Sequence, residues 1–140
     1  MTSWTPGWDS VPEPLLAHLS VRRPATLTTL RADGRPHSVP VGVTLDVEER
    51  CAWVITFASS RKARNVLANP GGPVSVCDVE RAVWATIEGT ATATTEPAAV
   101  ARAVERYALR YKQPKEREDR VAIRIEVDRI LASRSLLDPA

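Results

Sequence analysis

The stretch Thr56-Phe57-Ala58-Ser59-Ser60-Arg61-Lys62-Ala63-Arg64-Asn65 decides the fold assignment of this chain. It ends a run of strand-forming residues that starts at Cys51, and its two serines mark the start of a helix. Ser59 or Ser60 can cap that helix, because a serine oxygen accepts from the free N–H groups of the first turn. Those N–H groups, the helix dipole and three nearby cations suit a phosphate. On this segment alone, a solvated helix start with surface charges is an equally good interpretation.

The composition is that of one ordinary globular domain. The chain has 140 residues, 44% of them hydrophobic, and a net charge of +2, which supports a core but no general affinity for polyanions. We expect a single domain over residues 1–140, with residues 1–9 loosely ordered. Cys51 and Cys77 lie in apolar patterns without C-x-x-C spacing, which favours reduced thiols and no metal site. The sequence contains no signal-peptide pattern and no membrane span, which predicts a cytoplasmic protein without a membrane partner.

Period-two patterns predict six strands separated by turn residues. Ala32-Asp33-Gly34-Arg35 joins the first two strands as a hairpin, and Gly89 within the fifth strand predicts a bulge or a bend. The predicted strands cover residues 25–31, 38–45, 51–57, 73–79, 82–94 and 121–128. The pattern predicts a mainly β fold, a six-stranded and mainly antiparallel barrel with helices packed outside it.

Three helices are predicted around these strands. Ser10-Val11-Pro12-Glu13 matches a capping box at the start of the first helix, which Pro24 ends. The second helix begins at Ser60 and ends before Asn69-Pro70-Gly71-Gly72. The third opens at Thr95-Glu96-Pro97 and is amphipathic. Its apolar stripe consists of Val100, Val104, Tyr107, Ala108 and Tyr111.

The second predicted strand has one face made only of small residues, Ser38, Pro40, Gly42 and Thr44. A flat ring could lie against such a face and take hydrogen bonds from the uncovered backbone, and Pro40 indicates an edge or a bulge. Close packing of a helix against this face explains the pattern equally well. Because this strand and the Ser-Arg-Lys segment lie on neighbouring hairpins, a nucleotide-like ligand could span both.

No catalytic residue can be named from the sequence. His18 and His37 belong to no Ser-His-Asp arrangement and are interpreted as structural or exposed, while Asp78 and Glu88 are single acids without an acid–base partner. The chain has neither a G-x-G-x-x-G nor a Walker motif. Aromatic residues make up only 5% of the chain, too few for a nucleic-acid groove that depends on base stacking.

The chain resembles the pyridoxamine 5′-phosphate oxidase-like split β-barrel superfamily, which binds flavin-type cofactors. The resemblance extends over roughly residues 10–135, and its branch is similar to the short F420-dependent reductases. Four segments carry it, namely the hairpin from Leu30 to Val41, the segment Thr56–Asn65, Leu67-Ala68-Asn69-Pro70, and Ile87-Glu88-Gly89-Thr90-Ala91.

This resemblance implies an F420H2-dependent oxidoreductase that transfers hydride to an electron-poor double bond of a small organic substrate. It also implies a homodimer whose cofactor cleft lies between the protomers. The implied cofactor-binding residues are Ser59, Ser60, Arg61, Lys62, Arg64 and Asn65 around the phosphate, and Val39, Pro40, Val41 and Gly42 along the ring. Four arginines could receive an anionic cofactor tail, namely Arg22, Arg23, Arg31 and Arg35.

Several alternatives stay open at this point. The chain lacks the C-terminal substrate-binding segment of the true oxidase, which argues against oxidation of pyridoxamine phosphate. FMN is the alternative cofactor, in a reductase or oxidase of the same fold. The third possibility is a protein that binds a flavin, F420 or haem without catalysis, although only two histidines are available as haem ligands.

Overall fold

The computed structural model describes residues 3–138, in which the chain forms eight strands and four α-helices. A short 3-10 turn, Trp8–Ser10, precedes the first helix. The strands are β1 (Ser3–Trp4), β2 (Ala25–Leu30), β3 (Pro36–Val41), β4 (Val43–Asp46), β5 (Cys51–Phe57), β6 (Gly72–Glu80), β7 (Val83–Thr94) and β8 (Arg120–Ala132). The helices are α1 (Glu13–His18), α2 (Arg61–Ala68), α3 (Pro97–Arg110) and α4 (Arg134–Leu137).

The strands form one antiparallel sheet in the order β3-β2-β6-β7-β8-β5-β4, with β1 paired to β8 outside this path. The two end strands of the order, β3 and β4, follow each other in the chain and are separated only by Gly42. The sheet therefore returns to its starting point through the backbone, as in a split barrel. The mainly β, antiparallel prediction is confirmed, but the strand count is eight and not six. The predicted second strand divides at Gly42, and β1 was not predicted.

The division at Gly42 has a packing reason. A Cβ atom there would lie 2.6 Å from Cε2 of Tyr107 and 2.9 Å from Cε2 of Tyr111. The Tyr111 hydroxyl accepts from the Val43 N–H at 3.2 Å and donates to the Arg23 carbonyl at 2.9 Å. Two tyrosine rings, one from α3 and one from the residue that directly follows it, thus pack on the uncovered backbone at Gly42. This is the close packing of a helix that the sequence left open as an explanation of the small strand face.

Gly89 lies at a bulge, as the sequence predicted. The β7–β8 register shifts between Glu88 and Gly89, so Asp128 is the extra residue on β8. A Cβ atom at Gly89 would lie 2.0 Å from the Glu126 carbonyl oxygen. Because two backbones approach this closely, only glycine fits.

The core lies inside the sheet, and two expectations about its N-terminal side are wrong. Trp4 is buried, its strand pairs with β8, and its ring meets Trp8 edge to face at 5.3 Å. Residues 3–9 are therefore ordered, while Met1 and Thr2 lie outside the described residues. The predicted capping box does not form either. Ser10 donates to the Gly7 carbonyl at 3.3 Å, and α1 begins after Pro12 without a side-chain cap.

A buried ion cluster centred on Asp78 joins distant parts of the chain. Asp78 accepts from Arg23 and from Arg110, and His18 lies 3.5 Å away. Arg110 also donates to the Val43 carbonyl at 2.7 Å. The sequence had left Asp78 as a single acid, because its partners are 55 and 32 positions distant. None of the described helices is both long and apolar enough to cross a membrane.

Candidate functional site

The start of α2 is built as the sequence predicted, and Ser60, the second of the two serines, caps it. The Ser60 Oγ accepts from the Ala63 N–H at 3.2 Å and from the Thr56 hydroxyl at 2.8 Å. Ser60 is buried, whereas Ser59 is exposed. The Ser60 oxygen is thus occupied as an acceptor, but its own O–H is left to donate. The first turn of α2 is fixed at the end of β5 with its N–H groups directed away from the helix.

The charges of three cations at or near this helix start act on His37. Burial, and then the charges of Arg31, Lys62 and Arg61, lower the pKa of His37. Its imidazole is therefore neutral at pH 7. The charges come from the hairpin after β2 and from the first turn of α2. We call the group formed by Arg31, His37, Ser60, Arg61 and Lys62 the anion corner.

The cations of the anion corner have no carboxylate partners in the described part of the chain. Within residues 3–138, no carboxylate lies within 4.0 Å of Arg31, Arg61 or Lys62. Arg23 and Arg35, by contrast, are paired with Asp78 and Asp33. Unbalanced positive charge at a helix N-terminus favours an anionic ligand.

The other two predicted residues of α2 lie elsewhere. Asn65 is buried and its side-chain amide donates to the Thr29 hydroxyl at 3.0 Å, so it joins α2 to β2. Arg64 is exposed and is not among the charges that act on His37. Of the six residues predicted around a phosphate, the structure therefore brings Ser60, Arg61 and Lys62 into the anion corner.

An open groove of about 450 Å³ runs from Lys62 along the edge of the barrel. Of the four residues predicted along the ring, Pro40, Val41 and Gly42 line this groove, whereas Val39 lines neither this groove nor its neighbour. Burial lowers the pKa of Lys62. The remaining lining residues are Ile55, Thr56, Phe57, Tyr107, Pro114, Lys115, Glu116, Arg117 and Arg120. The small face of β3 and the ammonium of Lys62 thus border one cavity.

A second groove of about 490 Å³ adjoins the first. Both grooves share Pro40, Val41, Gly42 and Tyr107. The second groove continues to Arg22, Arg23, Pro24 and Tyr111. The Tyr107 and Tyr111 rings are stacked at 4.8 Å and form its aromatic side. Two residues of the predicted apolar stripe of α3, Tyr107 and Tyr111, therefore line the grooves.

Sequence reasoning missed the loop that walls the first groove and the place of His37. The Arg117 guanidinium lies 4.2 Å from the centre of the Phe57 ring, and Asp119 accepts from it at 2.9 Å. In the sequence, residues 112–118 of this loop show only polarity and a proline, and no pattern that indicates a groove wall. The alternation of β3 could have placed His37 on the inner face, but its charged neighbours depend on how α2 packs.

The fold is that of a split barrel, and it places unbalanced positive charge at the start of α2 beside an open groove. The sequence profile of the pyridoxamine 5′-phosphate oxidase family matches residues 12–134, and the chain belongs to that family. The F420H2-dependent biliverdin reductase of Mycobacterium tuberculosis is 44% identical to it over 125 residues, which is 89% of this chain and 90% of the relative.

Solved structures agree with the fold. A conserved hypothetical protein from Mycobacterium tuberculosis has a TM-score of 0.67 and 27% identity, covering 90% of this chain and 87% of its own. A protein described as an F420 reductase also has a TM-score of 0.67, at 21% identity, covering 86% of this chain and 98% of its own. These similarities confirm the predicted superfamily and its split barrel.

Proposed function

We propose that this protein is an oxidoreductase that uses reduced coenzyme F420 to reduce a double bond of a small organic substrate. The anion corner beside the groove is the observation that supports a cofactor site at this position. The choice of F420 follows from the 44% identity to an F420H2-dependent reductase across nine-tenths of both chains. Biliverdin, the substrate in that relative's name, is the first compound to test.

The residues of the corner fit an anionic cofactor. The Nδ1 atom of His37 is buried and has no hydrogen-bond partner among residues 3–138, and such atoms are rare unless a ligand or water satisfies them. Arg31, Arg61 and Lys62 also have no carboxylate within 4.0 Å among the residues that the structure describes. A phosphate would supply the missing acceptors and charge. Each charge-assisted hydrogen bond to it contributes on the order of 1.5–3 kcal/mol.

In this proposal, Arg61, Lys62 and the O–H of Ser60 hold the phosphate, with Ser59 and Arg64 at its exposed side. The ring lies along Pro40, Val41 and Gly42. Asn65 positions α2 through Thr29 and does not touch the ligand. Reduced F420, when bound, supplies the hydride, and the protein contributes orientation and exclusion of water.

The anionic tail of the cofactor has fewer candidate arginine partners in the structure than the sequence indicated. Arg23 is part of the Asp78 cluster, and Arg35 is exposed and paired with Asp33. Arg31 belongs to the anion corner. Arg22 lines the second groove and has no carboxylate within 4.0 Å among residues 3–138. We propose Arg22 as the residue that receives the tail.

We further propose a homodimer in which a second protomer closes the open grooves, and a cytoplasmic location. Support for the dimer comes from the edge position of β3, where Pro36, Ser38 and Pro40 are exposed. Light scattering on the purified protein tests the dimer. A monomer at micromolar concentration would contradict it.

Steady-state oxidation of F420H2 in the presence of biliverdin tests the proposed function. We expect turnover that disappears in the double variant Arg61→Ala/Lys62→Ala, whose circular dichroism stays that of the native fold. Turnover with FMN and NADPH, and none with F420H2, would contradict the cofactor assignment. Binding of F420 without oxidation of F420H2 by any acceptor would instead indicate a carrier.

A further inference from the structure

The sequence motif leaves His37 out, and the proposed function takes its unpartnered Nδ1 atom as a sign of a missing ligand without assigning the residue a protonation state or a change of charge. It lies on β3 directly opposite Thr29 of β2. Thr29 in turn accepts from Asn65 of α2 at 3.0 Å. The row Asn65–Thr29–His37 thus crosses from the helix to the edge strand. It places His37 next to the strand that holds α2, and the charges of Arg61 and Lys62 in the first turn of that helix act on it.

The Nδ1 atom of His37 is an unsatisfied polar atom in a charged neighbourhood. It is buried and has no partner among the described residues. The groups that act on His37 are all positive: Arg31 from the hairpin after β2, and Lys62 and Arg61 from α2. No carboxylate is among them. Adding a proton to this imidazole therefore adds a fourth positive charge to an unbalanced cluster.

We infer that His37 is a fourth contact of the bound anion and that anion binding at this corner takes up a proton on His37. An anion among Arg31, Arg61 and Lys62 cancels the repulsion that, together with the larger effect of burial, disfavours the protonated imidazole. The protonated ring then gains a charge-assisted hydrogen bond, because both of its nitrogens are donors. This inference rests on the anion corner of the proposed function, but it does not depend on which cofactor binds.

The sign of the pH dependence follows from linkage. Burial and three cations lower the pKa of His37 in the free protein, and the bound anion raises it again. Protonation and anion binding therefore favour each other, so affinity rises as the pH falls through the range between the two pKa values. If the anion raises the pKa by about one unit, affinity changes about tenfold across that range.

The test uses sulfate, which does not titrate between pH 5.5 and about pH 8.5, and follows the imidazole protons by NMR. The chain has only two histidines, so two ring signals are expected. We expect the pKa of His37 to rise by about one unit in saturating sulfate. His18, which contacts the buried Asp78 at 3.5 Å, serves as an internal control whose pKa should not change.

The variant His37→Asn retains a polar group near the position of Nδ1 but cannot titrate. We expect it to lose the roughly tenfold gain in sulfate affinity that the native protein shows between pH 8 and pH 5.5. The pH series is then repeated with F420 on the native protein and on His37→Asn. The difference in affinity between the two proteins at each pH does not contain the titration of the cofactor itself, because that titration affects both proteins equally. The pH-dependent difference between native protein and variant should be the same for both ligands.

Several results would overturn the inference. These are an unchanged pKa of His37 in sulfate, an equal pH dependence in His37→Asn, or no sulfate binding at the corner at any pH. Sulfate binding with the expected proton uptake but no affinity for F420 supports the inference and removes the proposed function. F420 binding that depends neither on His37 nor on pH would contradict the inferred proton uptake and would leave the proposed function standing.

Discussion

The side-chain amide of Asn65 donates to the hydroxyl of Thr29 at 3.0 Å, and both side chains are buried. This bond joins α2 to β2 immediately beside His37, which pairs with Thr29 on the next strand. The anion corner is therefore held together by a hydrogen bond within the fold and not by contacts among its own cations, which repel one another. An anion can enter without first displacing a carboxylate.

We expect Asn65→Ala to lower the free energy of unfolding by about 1–3 kcal/mol, because it leaves the Thr29 hydroxyl buried without a partner. Affinity for F420 should fall as well, since the position of α2 is loosened. Urea unfolding measures the first effect and fluorescence titration the second. In the double variant Asn65→Ala/Thr29→Val the loss of stability should be smaller than in Asn65→Ala alone. If the double variant loses as much stability as Asn65→Ala and Thr29→Val lose together, the two side chains do not stabilise each other and this bond is unimportant.

Gly42→Ala should lower the free energy of unfolding by about 1–3 kcal/mol, as overpacking commonly does. The new methyl group would lie 2.6 Å from Tyr107 and 2.9 Å from Tyr111. Tyr111 cannot move aside without breaking its bonds to Val43 and Arg23. Removing the nearer ring in Gly42→Ala/Tyr107→Ala should make the Gly42 substitution less costly than it is in the native background. Denaturant midpoints of the four proteins test this.

Gly89→Ala should cost more than Gly42→Ala, with no rescue by a second substitution. The methyl group at position 89 would meet the carbonyl oxygen of Glu126 at 2.0 Å, and a backbone atom cannot be replaced by mutation. Equal denaturant midpoints for the two alanine variants would contradict this ranking.

The stability of the protein should decline with acid between about pH 4 and pH 2 because of Asp46. Burial acts to raise its pKa, but hydrogen bonds from Arg102, from Trp53 and from the Glu49 N–H outweigh burial and hold the pKa at about 2. The folded-state pKa lies below the ordinary value of 3.8, so the stabilisation is complete above pH 4 and disappears as the pH falls through 2. The contribution is about 2 kcal/mol at neutral pH.

Asp46→Asn should remove this part of the acid dependence and lower the stability at pH 7. Glu48→Gln is the matched control, because Glu48 also faces Arg102, at 3.5 Å, but its side chain is 83% exposed. Exposed pairs contribute about 0–1 kcal/mol, so this variant should stay near the native curve. Identical pH profiles for the native protein and Asp46→Asn would show that the stabilisation does not depend on the carboxylate charge.

Asp78→Asn should destabilise the protein by about 3–5 kcal/mol, because it leaves the buried Arg110 without its counter-charge. Glu80→Gln is the control, since Glu80 bonds Arg23 at 2.6 Å but is 58% exposed. Thermal unfolding at pH 7 separates the two. A small effect of Asp78→Asn would mean that the hydrogen bonds from Arg110 to the Val43 and Val21 carbonyls are enough to stabilise the buried guanidinium without a counter-charge.

Local patterns predicted the parts of this protein that neighbouring residues determine. The cap of α2, the bulge at Gly89 and the start of α3 at Pro97 are of this kind. What the sequence could not reveal depends on distant partners. The division of the sheet at Gly42 requires two tyrosines 65 and 69 positions later, and the inward position of Asn65 requires a threonine 36 positions earlier. Because these contacts depend on the completed fold, periodicity cannot predict them.

The most direct test of the account is a fluorescence titration of the purified protein with F420, repeated on Arg61→Ala/Lys62→Ala. We expect saturable binding to the native protein and an affinity about a hundredfold or more lower in the variant, since two charge-assisted contacts are lost. Arg129→Ala/Arg134→Ala removes the same net charge from exposed pairs elsewhere and should bind like the native protein. Equal affinity in all three proteins, with the fold intact, would contradict the assignment of the cofactor phosphate to the anion corner.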